Sequence, residues 1–469
     1  MGTITVAGGG MCGLAAAMML ADDGHEVTVL ERDPAPPPPD LEQAFDGWDR
    51  RSVAQFGLAH ILLAGGTRIL EQQVPTAFEL LAGNGGYRLN LVTFLLSLQA
   101  GAEVTPDDDR FELVTGRRST LEWALATAAA DHPGVAVRRG DAIAGLTTGP
   151  SVIEGVPHVT GFRLNTGEEV VGDIAIDATG RRSPTLDWLA DIGAVAPIDH
   201  NEDSGFAYYG RYFRSDDGSV PGLLGPALAP YGTFSVLTLP ADNGTWSVTL
   251  YGLSDDKELR RFRDPDVHER VVRSCPLQAH WLDGEPITEM KSMAGVVDRH
   301  RRFVVDGKPC ATGLLSVGDA SSCTNPSLGR GITLGLKHVE LLRREIARHG
   351  DDPAALALAF DEATETEMRP YHDATTALDR RRVAEMRSAL AGSALEPDAS
   401  LQIGELLAGA ATIDPTCARA FGEVFSCMAL PDEVLARPGM ADHVRSFADQ
   451  VSAEPPPGPG RTELMELIA

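Results

Sequence analysis

A glycine cluster at the very start of the chain, Gly8-Gly9-Gly10-Met11-Cys12-Gly13, limits the possible folds more than any other feature. The run before it, TITVA at residues 3–7, reads as a short buried strand. The Ala/Met/Leu-rich run from Leu14 to Leu20 after it suits a buried helix. Asp23-Gly24-His25 ends that helix, and EVTVLE at residues 26–31 forms a second strand. The product is a β-α-β unit with a right-handed crossover. Gly8, Gly10 and Gly13 fit G-x-G-x-x-G, and Glu31 ends the second strand about 20 residues on, as a dinucleotide fingerprint requires. Gly8 permits the tight turn, Gly10 lets backbone approach a pyrophosphate, and Gly13 allows close helix–strand packing. Met11, Cys12 and Gly13 open the helix, whose N-terminus offers free N–H groups and positive potential. Glu31 accepts hydrogen bonds from an adenosine ribose. Cys12 reads as a small packing residue inside the loop, with a reactive thiol as the alternative.

The rest of the composition narrows the partners. Lys and Arg number 40 against 67 Asp and Glu, a formal charge of −27. Such a field repels phosphate backbones and anionic lipid, so nucleic acid and membrane surfaces are not expected partners. The six cysteines are scattered with no C-x-x-C pair, which reads as reduced thiols and no metal site. The N-terminus lacks a basic region, and no stretch of apolar residues is long enough to span a bilayer, so a soluble, cytoplasmic protein is expected. At roughly 100–200 residues per domain, 469 residues suggest two to four domains.

Farther along, PAPPPPD at residues 34–40 reads as a stiff surface loop. Residues 52–72 are apolar at helical spacing, and residues 119–131 make another helix with Ser119 or Thr120 as N-cap. VAVRR and the stretch VTGFRLNTGEEVVGDIAIDATG read as strands and a hairpin. Residues 205–213 and 233–252 are β-like, with alternation and aromatics. From about 334 onward the pattern is helical and alanine-rich, closing with a Pro/Gly break at 454–460 and a short helix. Near residue 315, a strand (GLLSV) runs into Gly318-Asp319-Ala320. A second glycine-rich helix entry, Asn325-Pro326-Ser327-Leu328-Gly329-Arg330-Gly331-Ile332, follows.

Three segments together, VAGGGMCGLAAAMMLADDGHEVTVLERD, DIAIDATGRRS and LLSVGDASSCTNPSLGRGI, resemble FAD-dependent monooxygenases of the para-hydroxybenzoate-hydroxylase fold. The resemblance is nearest to actinobacterial members of specialised metabolism, polyether epoxidases among them, and QFGLAHILL at 55–63 is similar to a signature of that subgroup. It covers roughly residues 1–350. It implies an α/β protein: a Rossmann-like FAD-binding domain (1–75, 104–185 and 290–345) and an interleaved β-sheet substrate domain (76–103 and 186–289); the helical pattern beyond it reads as a C-terminal helical region (346–469). It also implies residue roles. Gly8, Gly10 and Gly13 match the pyrophosphate loop and Glu31 the ribose acid, while Arg32 and Ala142 fall beside the adenine. Arg118, or Arg117 one residue away, reaches the diphosphate, and Asp319 bonds the ribityl chain. Pro326, Gly329, Gly331 and Ile332 lie along the isoalloxazine.

The implied activity is insertion of one oxygen atom of O2, by hydroxylation or epoxidation, through a flavin C4a-hydroperoxide. The substrate is a small apolar or aromatic metabolite. No side chain is required as nucleophile, so no catalytic residue is assigned. His60, Tyr209, Arg211 and Phe213 are pocket candidates; His60 is equally readable as a helix-packing residue. Phe206, Tyr208 and Tyr212 share one strand parity and Tyr209, Arg211 and Phe213 the other, so one subset faces the ligand. NAD(P)H is the expected electron donor. Asp177-Ala178-Thr179-Gly180 departs from the form found in members that take hydride directly, so a separate flavin reductase is an alternative route. The first lysine is Lys257 and no W-x-W-x-I-P element exists, which argues against the halogenases. A reductase similar to prenyl reductases, and a non-catalytic flavin binder, are the competing readings.

Overall fold

The computed structural model describes residues 2–53, 55–395, 399–451 and 456–469. Five parallel strands form its first sheet, in the order Leu314–Ser316, Ile174–Asp177, Thr3–Ala7 (β1), Glu26–Glu31 (β2) and Val135–Arg139. Counted along the chain and read from the far edge this is 3-2-1-4-5, a Rossmann-type order. The order reverses between β1 and Ile174–Asp177. The loops leaving those two strands, at Gly8 and at Ala178, therefore flank a crevice, and open α/β sheets bind ligands at such a point.

The helix after β1, α1 (Met11–Asp22), is apolar on all sides and buried from Gly13 to Leu20. It packs between the sheet and the helices Arg118–Asp131 and Gly331–His349. A helix without a polar face has to sit in a core.

A second sheet is antiparallel, in the order Leu228–Tyr231, Phe234–Pro240, Thr245–Leu253, Phe206–Arg214 and Glu285–Pro286. Its two faces differ. Phe206, Tyr208 and Tyr251 pack with Val296 and Met386, whereas Tyr209, Phe213, Trp246 and Phe234 pack with Phe262 and Val271 on the opposite side. A three-stranded sheet (Ile198–Asp203, Val297–Arg302, Ser322–Cys323) ties the second glycine-rich entry to this region. The strand and hairpin expected after Val135 is a three-stranded meander, Ile143–Ile153, Val156–Leu164 and Glu169–Val171. The C-terminal part is helical, as its pattern predicts, and ends in Arg461–Leu467. The Pro/Gly break falls partly outside the described residues.

Two local expectations fail. Residues 52–53 and 55–63 are irregular, and the helix begins only at Ala64 (Ala64–Gln73). The amides there bond elsewhere: Leu62 N donates to Thr115 Oγ1 (2.9 Å) and Leu63 N to Thr333 Oγ1 (3.3 Å). Tertiary partners thus replace the helical ladder, and the apolar side chains of the segment line a cavity. The N-cap of Arg118–Asp131 is Arg117, not Ser119 or Thr120, whose hydroxyls are buried without a hydrogen-bond partner. Asp242, distant in sequence, takes the N–H of Arg117 instead (2.6 Å).

Asp414, Cys417 and His443 bring one ligand atom each within 4.8 Å of one another, although Asp414 already caps a helix there and pairs with His443. Among the described residues no helix is long and apolar enough to cross a membrane.

Candidate functional site

The crevice at the sheet's switch point opens into a cavity of about 2280 Å³. Single small-molecule sites run to roughly 300–1,000 Å³, so this one has room for a large cofactor and a second molecule. Its walls include Gly8, Gly10, Met11, Cys12, Glu31, Arg32, Arg118, Asp319, Pro326, Gly329, Gly331 and Ile332. Segments some 300 residues apart therefore meet in one chamber, as the resemblance implies.

Each glycine of the first loop has a distinct physical constraint. Gly8 has φ +101°, and a Cβ there would lie 2.6 Å from the Ala178 carbonyl oxygen. A Cβ on Gly13 would lie 1.9 Å from the Gly8 oxygen, so Gly13 serves packing and does not line the cavity. Gly10 meets nothing within 4 Å, so it faces open space. Gly331, first residue of the second helix, is equally open. Both helices begin without a side-chain cap and without an acidic residue in the first turn. Their leading N–H groups therefore point uncapped toward the same cavity, which suits a diphosphate at one end and a delocalised anion at the other.

Glu31 is held rather than free. Its carboxylate accepts from Gly9 N (3.0 Å) and Asp33 N (2.9 Å) and pairs with Arg50 (3.1 Å). Arg50 also reaches Glu122 (3.0 Å) and the Gly9 carbonyl (3.0 Å), and Arg118 closes the chain onto Glu122 (2.6 Å). This buried Glu31–Arg50–Glu122–Arg118 relay fixes the loop. Sequence reasoning missed Arg50 and Glu122, because neither lies in a motif. Glu122, an acid in the largely apolar run from Leu121 to Ala126, was the only signal; Arg50 lies in the polar stretch Asp49-Arg50-Arg51-Ser52. Arg118 faces the cavity, whereas Arg117 turns away into a buried bidentate pair with Asp242 (2.6 Å). Of the two, only Arg118 lines the cavity.

The other predicted residues sort as follows. Ala142 does not line the cavity: its carbonyl accepts from Asn165 N (2.9 Å), and its neighbours Asp141 and Ile143 face the chamber instead. Cys12 Sγ sits against the backbone of Gly318 and Gly335, and burial pushes its thiol up to about 12, which fits packing and not a nucleophile. Asp319 keeps its side chain a quarter exposed toward the cavity, with Arg181 Nε at 3.9 Å. His60 lines the cavity. Its Nδ1 bonds the Leu58 carbonyl (2.9 Å), and burial followed by the Arg118 charge lowers it to about 3, so it is a neutral imidazole. Arg211 lines the cavity, but Tyr209 and Phe213 do not. They occupy the opposite face of the antiparallel sheet, and it is the other parity, Tyr208 and Tyr212, that borders the chamber.

Asp177, in the altered motif, is fully buried and accepts from Thr179 N (2.9 Å), Ser183 Oγ (2.5 Å) and Thr185 Oγ1. It organises its own turn.

Beyond the flavin-side loops the chamber continues between Leu89, Phe94, Leu98 and Leu237 on one side and Leu401, Phe421, Phe425 and Leu435 of the C-terminal helices on the other. That extension is apolar, and it was invisible in the sequence because the C-terminal region carries no motif.

The sheet order and the crevice at its switch point are those of a Rossmann-type fold, and the chain shares its fold with flavin monooxygenases of known structure. Residues 6–36 match the family described as NAD(P)-binding Rossmann-like domain. Protein Rv3254 of Mycobacterium tuberculosis is 26% identical over 375 residues, covering 76% of each chain. The probable FAD-dependent monooxygenase pqsL of Pseudomonas aeruginosa superposes with a TM-score of 0.56 at 16% identity, over 82% of this chain and 99% of its own. OxyS anhydrotetracycline hydroxylase from Streptomyces rimosus gives 0.55 at 18%, over 92% and 76%. The Diels-Alderase PyrE3 of pyrroindomycin biosynthesis gives 0.55 at 19%, over 97% and 82%.

Proposed function

We propose that the chain is an FAD-dependent monooxygenase that hydroxylates or epoxidises an apolar or aromatic metabolite. The observation that carries this reading is the pair of uncapped helix N-termini, at Met11 and Gly331, facing one cavity that runs on into an apolar chamber. Bound FAD would supply the oxygen-activating chemistry. The residues that would hold it are Gly10, Met11 and Arg118 at the diphosphate, Glu31 and Arg32 at the adenosine, Asp319 at the ribityl chain, and Pro326, Gly329, Gly331 and Ile332 beside the ring. Gly331 and Ile332 lend their N–H groups to negative charge at the ring edge. His60, neutral with Nδ1 already engaged, presents Nε2 as an acceptor. The leucines and phenylalanines of the extension exclude water from the reacting end. The length of that extension favours a substrate larger than a single ring.

In this reading residues 1–75, 104–185 and 290–345 hold the cofactor, 76–103 and 186–289 form one substrate wall, and 346–469 close the chamber. NAD(P)H supplies electrons, directly or through a separate flavin reductase. A second reading is supported by PyrE3, which has the same fold and is described as a Diels-Alderase: the chamber would then shape a carbon–carbon bond formation with FAD as a structural element.

The test has two stages. The purified protein is reconstituted with FAD, and NADH and NADPH oxidation is followed with and without an added flavin reductase. Products from a panel of apolar polycyclic compounds are then analysed under 18O2. One labelled oxygen per product is expected. A product without label would refute the oxygenase reading, and a cyclised isomer formed without NAD(P)H would establish the second.

A further inference from the structure

The main cavity is joined to a second, smaller pocket by buried polar side chains that none of the cofactor contacts explains. Tyr208 and Ser327 line the main cavity. Asp379, on the helix Arg369–Ala391, lines the other pocket together with Glu202, Asp298 and Arg380. Between them the groups are in contact. The Ser327 hydroxyl donates to Asp379 Oδ1 (3.1 Å). Asn325 braces all three: its Oδ1 accepts from Tyr208 (2.6 Å), and its Nδ2 donates to Ser327 (3.0 Å) and to Asp379 (2.9 Å). Asp379 is 4% exposed, and its second oxygen is buried with no partner.

From this juxtaposition we propose that Ser327 and Asp379 form a proton path between the main cavity and the outer pocket, with Asn325 and Tyr208 bracing it. The proposal rests on the oxygenase reading for its purpose but not for its geometry. A serine hydroxyl both donates and accepts, so it can pass a proton; the Asn325 amide cannot, and serves to hold Ser327 against Asp379. In the forward direction the O–H bond of a cavity molecule breaks as an O–H bond forms at Ser327. The Ser327 proton moves at the same time to Asp379, and the carboxylic acid then releases it to water in the outer pocket. One proton is carried and no electrons move.

Asp379 is suited to the terminal role. Burial, with the nearby Asp298 charge adding to it, raises its carboxyl to about 7, against the opposing influence of Asn325, Ser327 and Arg330. Asp298, itself raised to about 6 mainly by burial, flanks it from the strand Val297–Arg302. Tyr208 and Tyr251 face it from the sheet, and Arg380 lies on its own helix, paired with Glu202 (2.6 Å). A carboxyl that changes state near neutral pH exchanges protons most readily there.

The experiment compares wild type with Asp379→Asn, Ser327→Ala and Ser327→Thr. Infrared difference spectra across pH 5–9 are recorded on the cofactor-free protein. A protonated-carboxyl band titrating near 7 is expected in wild type and both Ser327 variants, and is expected to vanish in Asp379→Asn. Reoxidation of the dithionite-reduced FAD protein in air-saturated buffer is then followed against pH in H2O and D2O. Wild type and Ser327→Thr should share an inflection near pH 7 and a solvent isotope effect. Ser327→Ala and Asp379→Asn should lose both, with about a tenfold or larger slowing. Wild-type pH profiles in Ser327→Ala, or a band titrating near 7 that survives Asp379→Asn, would overturn the path. The infrared result stands even if the protein inserts no oxygen, so failure of the path and failure of the oxygenase reading are separable.

Discussion

Replacing Arg50 with methionine tests whether the cofactor loop is held by a buried charge relay. The guanidinium is buried between Glu31 (3.1 Å) and Glu122 (3.0 Å), donates to the Gly9 carbonyl and lies over the Trp48 ring at 5.2 Å. Methionine has similar length and fills the space, but it leaves two buried carboxylates without their shared cation. Breaking a buried pair in this way costs about 3–5 kcal/mol. The lower end applies here, because Glu31 keeps two backbone N–H donors and Glu122 keeps Arg118. Lost contact with Trp48 adds on the order of 0.5 kcal/mol. The sign with pH follows from the uncompensated negative charge. Acid neutralises it, so the loss should be larger at pH 8 than at pH 5. Adding Glu122→Gln to Arg50→Met should recover part of the loss at pH 8, since the two side chains touch and are not additive. Urea unfolding of the four proteins at both pH values gives the cycle. A loss below about 1 kcal/mol, or the same loss at both pH values, would refute the relay as a stabilising element.

Further outcomes follow from other contacts. Gly10→Ala should cost the cofactor-free protein no more than about 1 kcal/mol, since open space surrounds it, yet weaken FAD binding tenfold or more; Gly13→Ala should prevent folding, and solubility with an FAD titration distinguishes the two. With His60 lowered to about 3 by burial, His60→Asn should leave the pH dependence of FAD binding unchanged between pH 5 and 9, and an inflection near 6 that vanishes in the variant would contradict this. Cys12, its thiol pushed up to about 12 by burial, should resist iodoacetamide at pH 8 in the folded protein and react in urea, as read by mass spectrometry. Asp379 has a folded value, about 7, above its ordinary 3.8, so its contribution to stability is present at low pH and lost as pH rises toward 8; Asp379→Asn should flatten that fall in thermal melts.

The sequence was legible where one local pattern governs both backbone and ligand. The strand–glycine–helix start needs nothing from elsewhere, so β1, α1 and β2 match expectation. The second entry at Asp319 to Ile332 is read the same way. Legibility failed where tertiary partners decide. Residues 52–63 have a helical apolar spacing, but Thr115 and Thr333 capture their amides. Ser119 and Thr120 look like N-caps, but Asp242 reaches that helix start from the other sheet. The alternation in Phe206–Arg214 correctly divides two faces, yet parity alone cannot say which face meets the cavity. That depends on Phe262 and Val271 covering the Tyr209 side. The chamber wall at Phe421 and Leu435 had no sequence signal, because ordinary apolar helix residues become site residues only by position.

Cys12 has a consequence for the spacing of the whole site. Its sulfur rests on Gly318 and Gly335, where an added Cβ would come within 2.9 and 2.5 Å. One thiol therefore acts as a gauge between α1 and the helix Gly331–His349, and so between the two N-termini that face the chamber. Widening that gauge by one methyl group would separate the two ends of the cavity by a fraction of an ångström without touching any ligand contact. Spacing between the two helix starts is thus adjustable from behind, at Gly318 and Gly335, neither of which lines the cavity.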